Sequence, residues 1–115
     1  MDTVSTDDLE EREVVSGVHN TAVLTGEQTN LLRFRIEPNG HVPEHSHPHE
    51  QIGYIVSGEA TFTADGETRI LKAGDAYRLP GDEPHQLENR GDDVVIGIDV
   101  FSPPRGAAPF AEDEQ

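Results

Sequence analysis

The sequence predicts an all-β domain, either a sandwich or a barrel, from three observations. Short runs of apolar and β-branched residues recur along the middle of the chain, glycine and proline turn signals separate them, and no helical period is sustained. The length of 115 residues fits one domain. Because 33% of the residues are hydrophobic, we expect a small core and polar outer surfaces.

The first half of the barrel contains three predicted strand segments, "VVSGVHNTAVL", "NLLRFRIE" and "QIGYIV". The second of these ends at the turn Pro38-Asn39-Gly40, and the third ends at Ser57-Gly58. Proline, asparagine and glycine favour turns because of their backbone preferences. These turns therefore predict where the strands end.

In the second half, "EATFTA" and "ETRILK" flank Asp65-Gly66, which predicts a tight β-hairpin. The segments "DAYRLP" and "HQLEN" follow, and "VVIGIDVF" stops at Pro103 and Pro104. We therefore predict a barrel over residues 14–105. Residues 1–13 are expected to form an acidic, flexible arm with a short helical turn near Thr6 or Asp7, and residues 106–115 an acidic tail that Phe110 could anchor.

The charge of the chain excludes some classes of partner. Its 23 Asp and Glu against 8 Lys and Arg give a net charge of −15. Such a field repels nucleic acid phosphates and anionic lipids, so we expect neither partner. An acidic excess with a single lysine is typical of proteins from salt-adapted organisms, and an ordinary acidic cytosolic protein is the alternative. An acidic N-terminus and the lack of a long apolar run predict a cytoplasmic protein.

Four of the six histidines lie in "GHVPEHSHPHEQIGYIVSG". His45 and His47 are two residues apart, so on a strand they would share one face, about 6.6 Å apart along the backbone. Gln51 and His49 have the same parity. A third nitrogen ligand would have to come from a distant strand, and His85 is the obvious source. The chain has no cysteine, so the pattern indicates either a metal site of histidines with an amide or a carboxylate, or a chance cluster.

Two segments resemble the two motifs of the cupin family. The first motif is a glycine, H-x-H, a fourth ligand and a closing glycine, and the second is matched by "GDAYRLPGDEPHQLEN", where Asp82 replaces the usual glycine. The matching positions are Gly40, His45, His47, Gln51 and Gly58, then Gly74, Pro80, His85 and Asn89. The resemblance implies a cupin-type double-stranded β-helix, or jelly-roll barrel. It also implies one divalent transition metal (Ni, Zn, Fe, Mn or Co) held by His45, His47, Gln51 and His85.

Two neighbouring residues are candidates for the fourth metal ligand. Many cupins carry glutamate there, whereas this chain has Gln51, and Glu50 could replace it if the strand contains a bulge. A neutral amide would leave the ion its full charge and make it a stronger Lewis acid. His19 and His41 are expected at the surface or in local hydrogen bonds, and His49 beside the site.

The segment "GIDVFSPPR" places an acid in an apolar strand. Asp99 and Phe101 share one face, and a buried, unpaired carboxylate is costly, so Asp99 must either pair, for example with Arg105 or Arg33, or line a wet cavity. The segment resembles the small cupins of pectin and alginate breakdown. That resemblance implies catalytic roles for Asp99 in proton transfer, Arg105 in binding the substrate carboxylate and Phe101 in packing against the sugar.

The resemblance implies an enzyme that opens the ring of 4,5-unsaturated uronates to 4-deoxy-5-keto uronates, so the partner is a small-molecule sugar acid. The alternatives are another metal-dependent cupin enzyme, such as a dioxygenase or an isomerase of a small organic acid, and a non-catalytic cupin that binds a sugar acid. Tyr77 is a further candidate hydrogen-bond donor. Ile52, Tyr54 and Val56 would form an apolar stripe outside the barrel, which predicts a homodimer.

Overall fold

A computed structural model describes residues 1–106 and confirms the all-β prediction. Within residues 1–106, ten strands form two antiparallel sheets in the order β1-β2-β3-β10-β5-β8 and β4-β9-β6-β7. The strands are β1 (Arg12–Val15), β2 (Val18–Thr25), β3 (Asn30–Ile36), β4 (His41–His45), β5 (Glu50–Ser57), β6 (Glu59–Ala64), β7 (Glu67–Lys72), β8 (Ala76–Leu79), β9 (His85–Glu88) and β10 (Val95–Ser102).

The two sheets face each other across one apolar core. Alternation along the strands supplies it: in β3 and β10 every second residue is buried, beginning with the first. The fully or nearly fully buried members include Ile36, Ile55, Val95 and Phe101. The metal-site candidates lie at one end of this core, where strands β4, β9 and β5 begin or end.

The first predicted strand segment, "VVSGVHNTAVL", is divided between two strands. A turn at Ser16-Gly17, where Gly17 has φ of +78°, separates β1 from β2. Strand β1 begins at Arg12, two residues before the predicted start of the barrel, and the Glu11 carboxylate accepts hydrogen bonds of 3.0 and 2.7 Å from Arg35. The barrel therefore begins inside the segment predicted as an arm.

A 3₁₀ turn at Thr6–Asp8 follows the capping residue Ser5, as the sequence indicated. Within residues 1–106, no helix has the length and apolar character needed to cross a membrane. The part of the predicted tail beyond Gly106, which includes Phe110, lies outside the described residues.

The hairpin predicted at Asp65-Gly66 is present between β6 and β7. Both turn residues have positive φ, +50° and +75°, which is the conformation of the tight hairpin turns that asparagine or aspartate and glycine favour. This turn fixes the register of β6 against β7, which lies at the edge of its sheet.

Asn89, directly after β9, organises the opposite end of the barrel from the histidines. It is 2% exposed, and its amide nitrogen donates to the carbonyls of Ile36 and Asp93 at 3.0 and 2.8 Å. Its amide oxygen accepts from the backbone N–H of Gly91 at 3.0 Å. One side chain therefore satisfies three backbone groups near the buried ends of β3 and β10.

Replacing Asn89 with alanine is expected to lower the free energy of unfolding by roughly 2–4 kcal/mol, because buried carbonyl groups lose their donor. Urea denaturation monitored by circular dichroism measures this change. The control is Gln86→Ala, since that amide contacts the exposed ring of His41. Equal losses in the two variants would contradict the role given to Asn89.

Candidate metal centre

Two strand ends and one connection bring three predicted ligands together. His45 is the last residue of β4, His85 is the first of β9, and the two are paired across the sheet. His47 lies in the connection from β4 to β5. Ring centroids are 4.4 Å apart for His45 and His85, and 5.1 Å apart for His47 and His85. One ring nitrogen from each histidine lies within 4.8 Å of the other two.

The expectation that His45 and His47 share one face of a strand was wrong. Strand β4 ends at His45 after a bulge between Val42 and His45, and residues 46–49 form an irregular connection. The proline at 48 supplies no backbone N–H, so a strand ladder does not continue through it. The two histidines converge through this bend rather than through strand alternation.

A second connection holds His47 in place. The backbone N–H of Asp82 donates to the His47 carbonyl at 2.7 Å. Asp82 has φ of +67°, a left-handed conformation that aspartate adopts more readily than most residues. Aspartate therefore forms the turn at the position where the cupin motif carries glycine. Gly81 packs so closely on Pro48 that a Cβ atom there would lie 2.5 Å from the Pro48 carbonyl oxygen.

All three imidazoles are oriented by the same kind of hydrogen bond. Each Nδ1 contacts a backbone carbonyl: His45 that of Pro43 at 2.9 Å, His47 that of His49 at 3.0 Å, and His85 that of Glu83 at 2.8 Å. A carbonyl oxygen can only accept, so Nδ1 carries the proton and Nε2 of a neutral ring carries a lone pair. Among residues 1–106, the buried Nε2 of His85 has no hydrogen-bond partner.

Burial keeps these rings neutral. It lowers the pKa of His47 and His85, and it lowers the pKa of His45 to about 4. Desolvation is the largest cause in each case, because the charged imidazolium loses hydration in the barrel. A neutral imidazole, which has a lone pair on Nε2, is the form that binds a metal ion.

Gln51 completes the donor set. It is 7% exposed, and its Oε1 lies 3.1 Å from Nε2 of His47. Both atoms are electron-pair donors in the tautomer described above, so a cation between them would stabilise their approach. Glu50 faces the other way, is exposed, and pairs with Arg78 at 2.8 Å. Gln51, and not Glu50, therefore faces the histidines.

Three imidazole nitrogens and one amide oxygen are suitable ligands for Zn, Ni, Fe, Mn or Co. The buried, unpartnered Nε2 of His85 and the close approach of Gln51 to His47 both fit an ion at their centre. The hydrogen bonds from Nδ1 to carbonyl groups are typical of the contacts that orient metal-binding histidines.

Asp99 lies beside this cluster on β10 and is 6% exposed. The hydroxyl of Tyr77 donates a hydrogen bond to its Oδ1. Burial raises the pKa of Asp99 to about 6, although hydrogen bonds from Tyr77 and Gln51 and the charge of Arg105 oppose that rise. Arg33 lies near Glu11 instead. The Asp99 carboxyl group is thus hydrogen-bonded, and it also lines an internal cavity beside the histidines.

Phe101 and Arg105 lie in contact with each other and also line this cavity. The guanidinium carbon of Arg105 lies 3.9 Å from the centre of the Phe101 ring, in cation–π contact. Asn30 holds the backbone of Arg105: its Nδ2 donates to the carbonyl at 3.1 Å, and its Oδ1 accepts from the N–H at 2.8 Å. Burial lowers the pKa of Arg105, and its buried Nε has no hydrogen-bond partner in the described part of the chain.

Three of the four predicted metal ligands and all three catalytic candidates therefore line one cavity, and His47 lies beside it. Its volume is about 40 Å³, enough for an ion and a water molecule. The residues that carry chemistry in its wall are His45, Gln51, Tyr77, His85, Asp99 and Arg105. Phe101 contributes its ring, which lies 5.8 Å from that of His47.

The remaining histidines lie where the sequence placed them. His41 is exposed and contacts Gln86, and His19 is hydrogen-bonded to Glu37 at 2.6 Å. His49 lies beside the site, because its carbonyl orients His47 and the two rings are 5.6 Å apart.

Sequence reasoning gave too little weight to Tyr77 and missed Asn30. The signal for Tyr77 was present: in β8 it alternates with the exposed Ala76 and Arg78 and has the same parity as the buried Leu79. Asn30 offered no local signal, because its partner is 75 residues away in the chain.

For the metal-free protein, we expect stability to fall as the pH decreases from about 6.5 towards 4. The folded pKa of His45 is about 4 against 6.5 for an ordinary histidine, so the unfolded chain binds a proton that the folded chain excludes. The loss begins below about pH 6.5 and is complete below about pH 4; because the ring is partly exposed, solvent screening reduces it to roughly 1–2 kcal/mol.

Urea denaturation of chelator-treated protein between pH 4 and pH 7 measures this dependence. His45→Gln is expected to flatten the curve, whereas His41→Gln, at an exposed ring, should leave it unchanged. The same slope in the wild type and in His45→Gln would contradict the assignment.

Known proteins share much of this sequence and its fold. Residues 32–101 match the cupin domain family. The chain is 36% identical to an H2HPP isomerase of Bacillus subtilis over 86 residues, which are 74% of this chain and 36% of the relative. It is 42% identical to the pectin degradation protein KdgF of Dickeya dadantii over 62 residues, 53% of this chain and 56% of the relative.

The solved structure of KdgF from Halomonas sp. superimposes with a TM-score of 0.83 and 28% identity, covering 90% of this chain and 96% of that one. The chain spans 36% and 56% of the lengths of the two curated relatives. Since the family match extends over more than half of the sequence and the fold agrees along most of it, the chain belongs to the cupin family.

Proposed function

We propose that this protein is a metal-dependent enzyme that opens the ring of 4,5-unsaturated uronates to give 4-deoxy-5-keto uronates. The observation that carries the proposal is the shared cavity: a set of metal donors, a buried acid and an arginine stacked on phenylalanine lie in one wall. The similarity to two KdgF proteins, one of them named as a pectin degradation protein, supports this substrate class.

His45, His47, Gln51 and His85 would hold the divalent ion. When bound, the ion would polarise the sugar oxygens in contact with it and stabilise negative charge that develops on them. The amide of Gln51 adds no charge to the donor set, so the ion keeps its full positive charge. Elemental analysis of the purified protein identifies which of Ni, Zn, Fe, Mn and Co is bound.

Asp99 would transfer the proton. In the reaction a proton adds to C4 and a water oxygen adds to C5, which saturates the enol ether. The C5 hydroxyl then gives its proton to the ring oxygen as the bond between C5 and that oxygen breaks, leaving a ketone at C5 and a hydrated aldehyde at C1. The pKa of Asp99 near 6 lets the carboxyl group give a proton to C4 and accept the one released by water.

Arg105 would bind the substrate carboxylate. Its buried Nε has no hydrogen-bond partner among the residues that the structure describes, and a guanidinium can bind a carboxylate through two parallel hydrogen bonds. The cavity of about 40 Å³ is too small for a whole sugar, so the ring would lie against its mouth with Phe101 and Arg105. This side chain and the ion would also offset the repulsion between an anionic sugar and a chain of net charge −15.

The second candidate is a metal-dependent isomerase of a small organic acid. The observation that favours it is the 36% identity to an H2HPP isomerase over 74% of this chain. Turnover of an unsaturated uronate distinguishes the two candidates. A dioxygenase, by contrast, would consume oxygen.

The decisive test is turnover of an unsaturated monouronate freshly released by a polysaccharide lyase, followed by loss of its conjugated double-bond absorbance. The metal-loaded wild type should exceed the spontaneous rate. Asp99→Asn and the metal-free protein should lower kcat at least 100-fold, because each removes a group used in the transition state.

The matched control is Asp93→Asn, at an exposed acid in the turn before β10, which should retain full activity. A folded, metal-loaded wild type that does not exceed the spontaneous rate would refute the uronate proposal. Oxygen uptake and isomerisation of small keto acids would then be measured.

We further propose a homodimer through the outer face of the larger sheet. Ile52, Tyr54 and Val56 are 52%, 44% and 50% exposed, and Val100 of the neighbouring strand is 37% exposed. They form one apolar surface on β5 and β10, and burial in a second copy would remove it from water.

Ile52→Glu is expected to convert the dimer into a monomer, because it places a charge at the centre of this surface. Sedimentation velocity measures the change. Ile70→Glu is the control, since Ile70 is 57% exposed on the other sheet. A monomeric wild type, or dissociation by both variants alike, would contradict this interface.

A further inference from the structure

Three residues form a row across neighbouring strands of the larger sheet. Asp99 on β10 is paired with Gly53 on β5, and Gly53 is paired with Tyr77 on β8. Adjacent strands are about 4.8 Å apart, so the outer members of this row belong to strands almost 10 Å apart. Side chains on such strands normally meet only the side chain between them.

Gly53 removes that intervening side chain. A Cβ atom at this position would collide with the ring and hydroxyl of Tyr77 and with Oδ1 of Asp99. The backbone of Gly53 is not in the left-handed region that favours glycine. The glycine is therefore required here for space, and not for its backbone conformation.

The space above Gly53 allows Tyr77 to reach the acid. Its hydroxyl donates to Oδ1 of Asp99, and its ring packs on Phe62 with the ring centres 4.5 Å apart. Burial, together with the negative charge of Asp99, raises the pKa of Tyr77 well above its ordinary value, so the hydroxyl keeps its proton. The phenol is a permanent donor with a fixed ring.

The chain of hydrogen bonds extends to the metal ligands. Gln51 also hydrogen-bonds to Asp99, while its amide oxygen faces Nε2 of His47. An amide offers donors at its nitrogen and acceptors at its oxygen, so the carboxylate on one side directs the oxygen to the other. A glutamate at position 51 would place a second carboxylate against Asp99.

We infer that Tyr77 is a positioning residue for Asp99, and that Gly53 is the residue that admits it. The Tyr77 hydroxyl fixes the rotation of the carboxyl group, so that the acid is presented to the cavity in one orientation. Tyr77 acts through Asp99. The effect on catalysis rests on the proposed function, in which Asp99 transfers the proton. The hydrogen bond between Tyr77 and Asp99 is independent of that proposal.

The first measurement tests the hydrogen bond without any substrate. The chain has two tyrosines and no tryptophan, so Tyr54→Phe leaves Tyr77 as the single tyrosine. A phenol that donates to a carboxylate absorbs at longer wavelength than a hydrated phenol. We expect the ultraviolet spectrum of Tyr54→Phe to show this shift, and the added change Asp99→Asn to reduce it. A spectrum that does not respond to Asp99→Asn would overturn the inference.

The second measurement tests the consequence for catalysis. Tyr77→Phe keeps the ring on Phe62 and removes the hydroxyl, so kcat for the unsaturated uronate should fall roughly 10- to 100-fold with little change in KM. Gly53→Ala should lower kcat at least as much. The matched control is Tyr54→Phe, a conservative change on the outer face of the sheet and away from the cavity, which should retain kcat within twofold.

The outcomes separate the two proposals. If Tyr77→Phe retains its melting temperature and its kcat within twofold, the positioning role is wrong. If the wild type has no uronate activity but the Tyr77 spectrum depends on Asp99, the proposed function fails and the positioning of the acid by Tyr77 holds. If the spectrum does not depend on Asp99, the positioning role fails whatever the activity.

Discussion

The hydrogen bonds between Nδ1 of three histidines and three backbone carbonyls are the interactions on which the rest of the site depends. They set the tautomer of each ring and leave every Nε2 lone pair directed into the barrel. Burial then keeps the rings neutral. Because the carbonyls belong to the bends next to the histidines, the local backbone prepares the ligand set before any ion arrives.

The outer surface of the protein and the cavity beside the histidines are two different electrostatic environments. The chain carries a net charge of −15, yet the wall around the histidines contains one acid, Asp99, and one cation, Arg105, both shielded from water. Charges at the surface are screened by salt, whereas interactions within a buried site are screened much less. An acidic exterior is therefore compatible with a site that binds an anion.

Much of this arrangement could be predicted from the sequence, because strand alternation is a local property. The alternation in "GIDVF" correctly placed Asp99 and Phe101 on the buried face, and the hairpin at Asp65-Gly66 followed from its turn residues. The position of His47 could not be derived this way, since a bulge and a bend replace the expected strand.

Contacts between distant segments were beyond sequence reasoning for a different reason. The hydrogen bonds of Asn30 to Arg105 and of Tyr77 to Asp99 depend on which strands become neighbours. The strand order β3-β10-β5-β8 decides both contacts, and no local pattern contains that order. Gly53 illustrates this point, because its importance comes from the two residues beside it in the sheet.

Phe101 belongs at once to the hydrophobic core and to the wall of the site. It is 1% exposed, packs within the central apolar cluster, and supports the guanidinium of Arg105 on its ring. A change in a neighbouring core side chain such as Leu32 or Phe34 would therefore tilt this ring and shift the arginine above it. The size of the core side chains and the position of the Arg105 guanidinium are linked through Phe101. A core of a different volume would require a compensating change at the arginine.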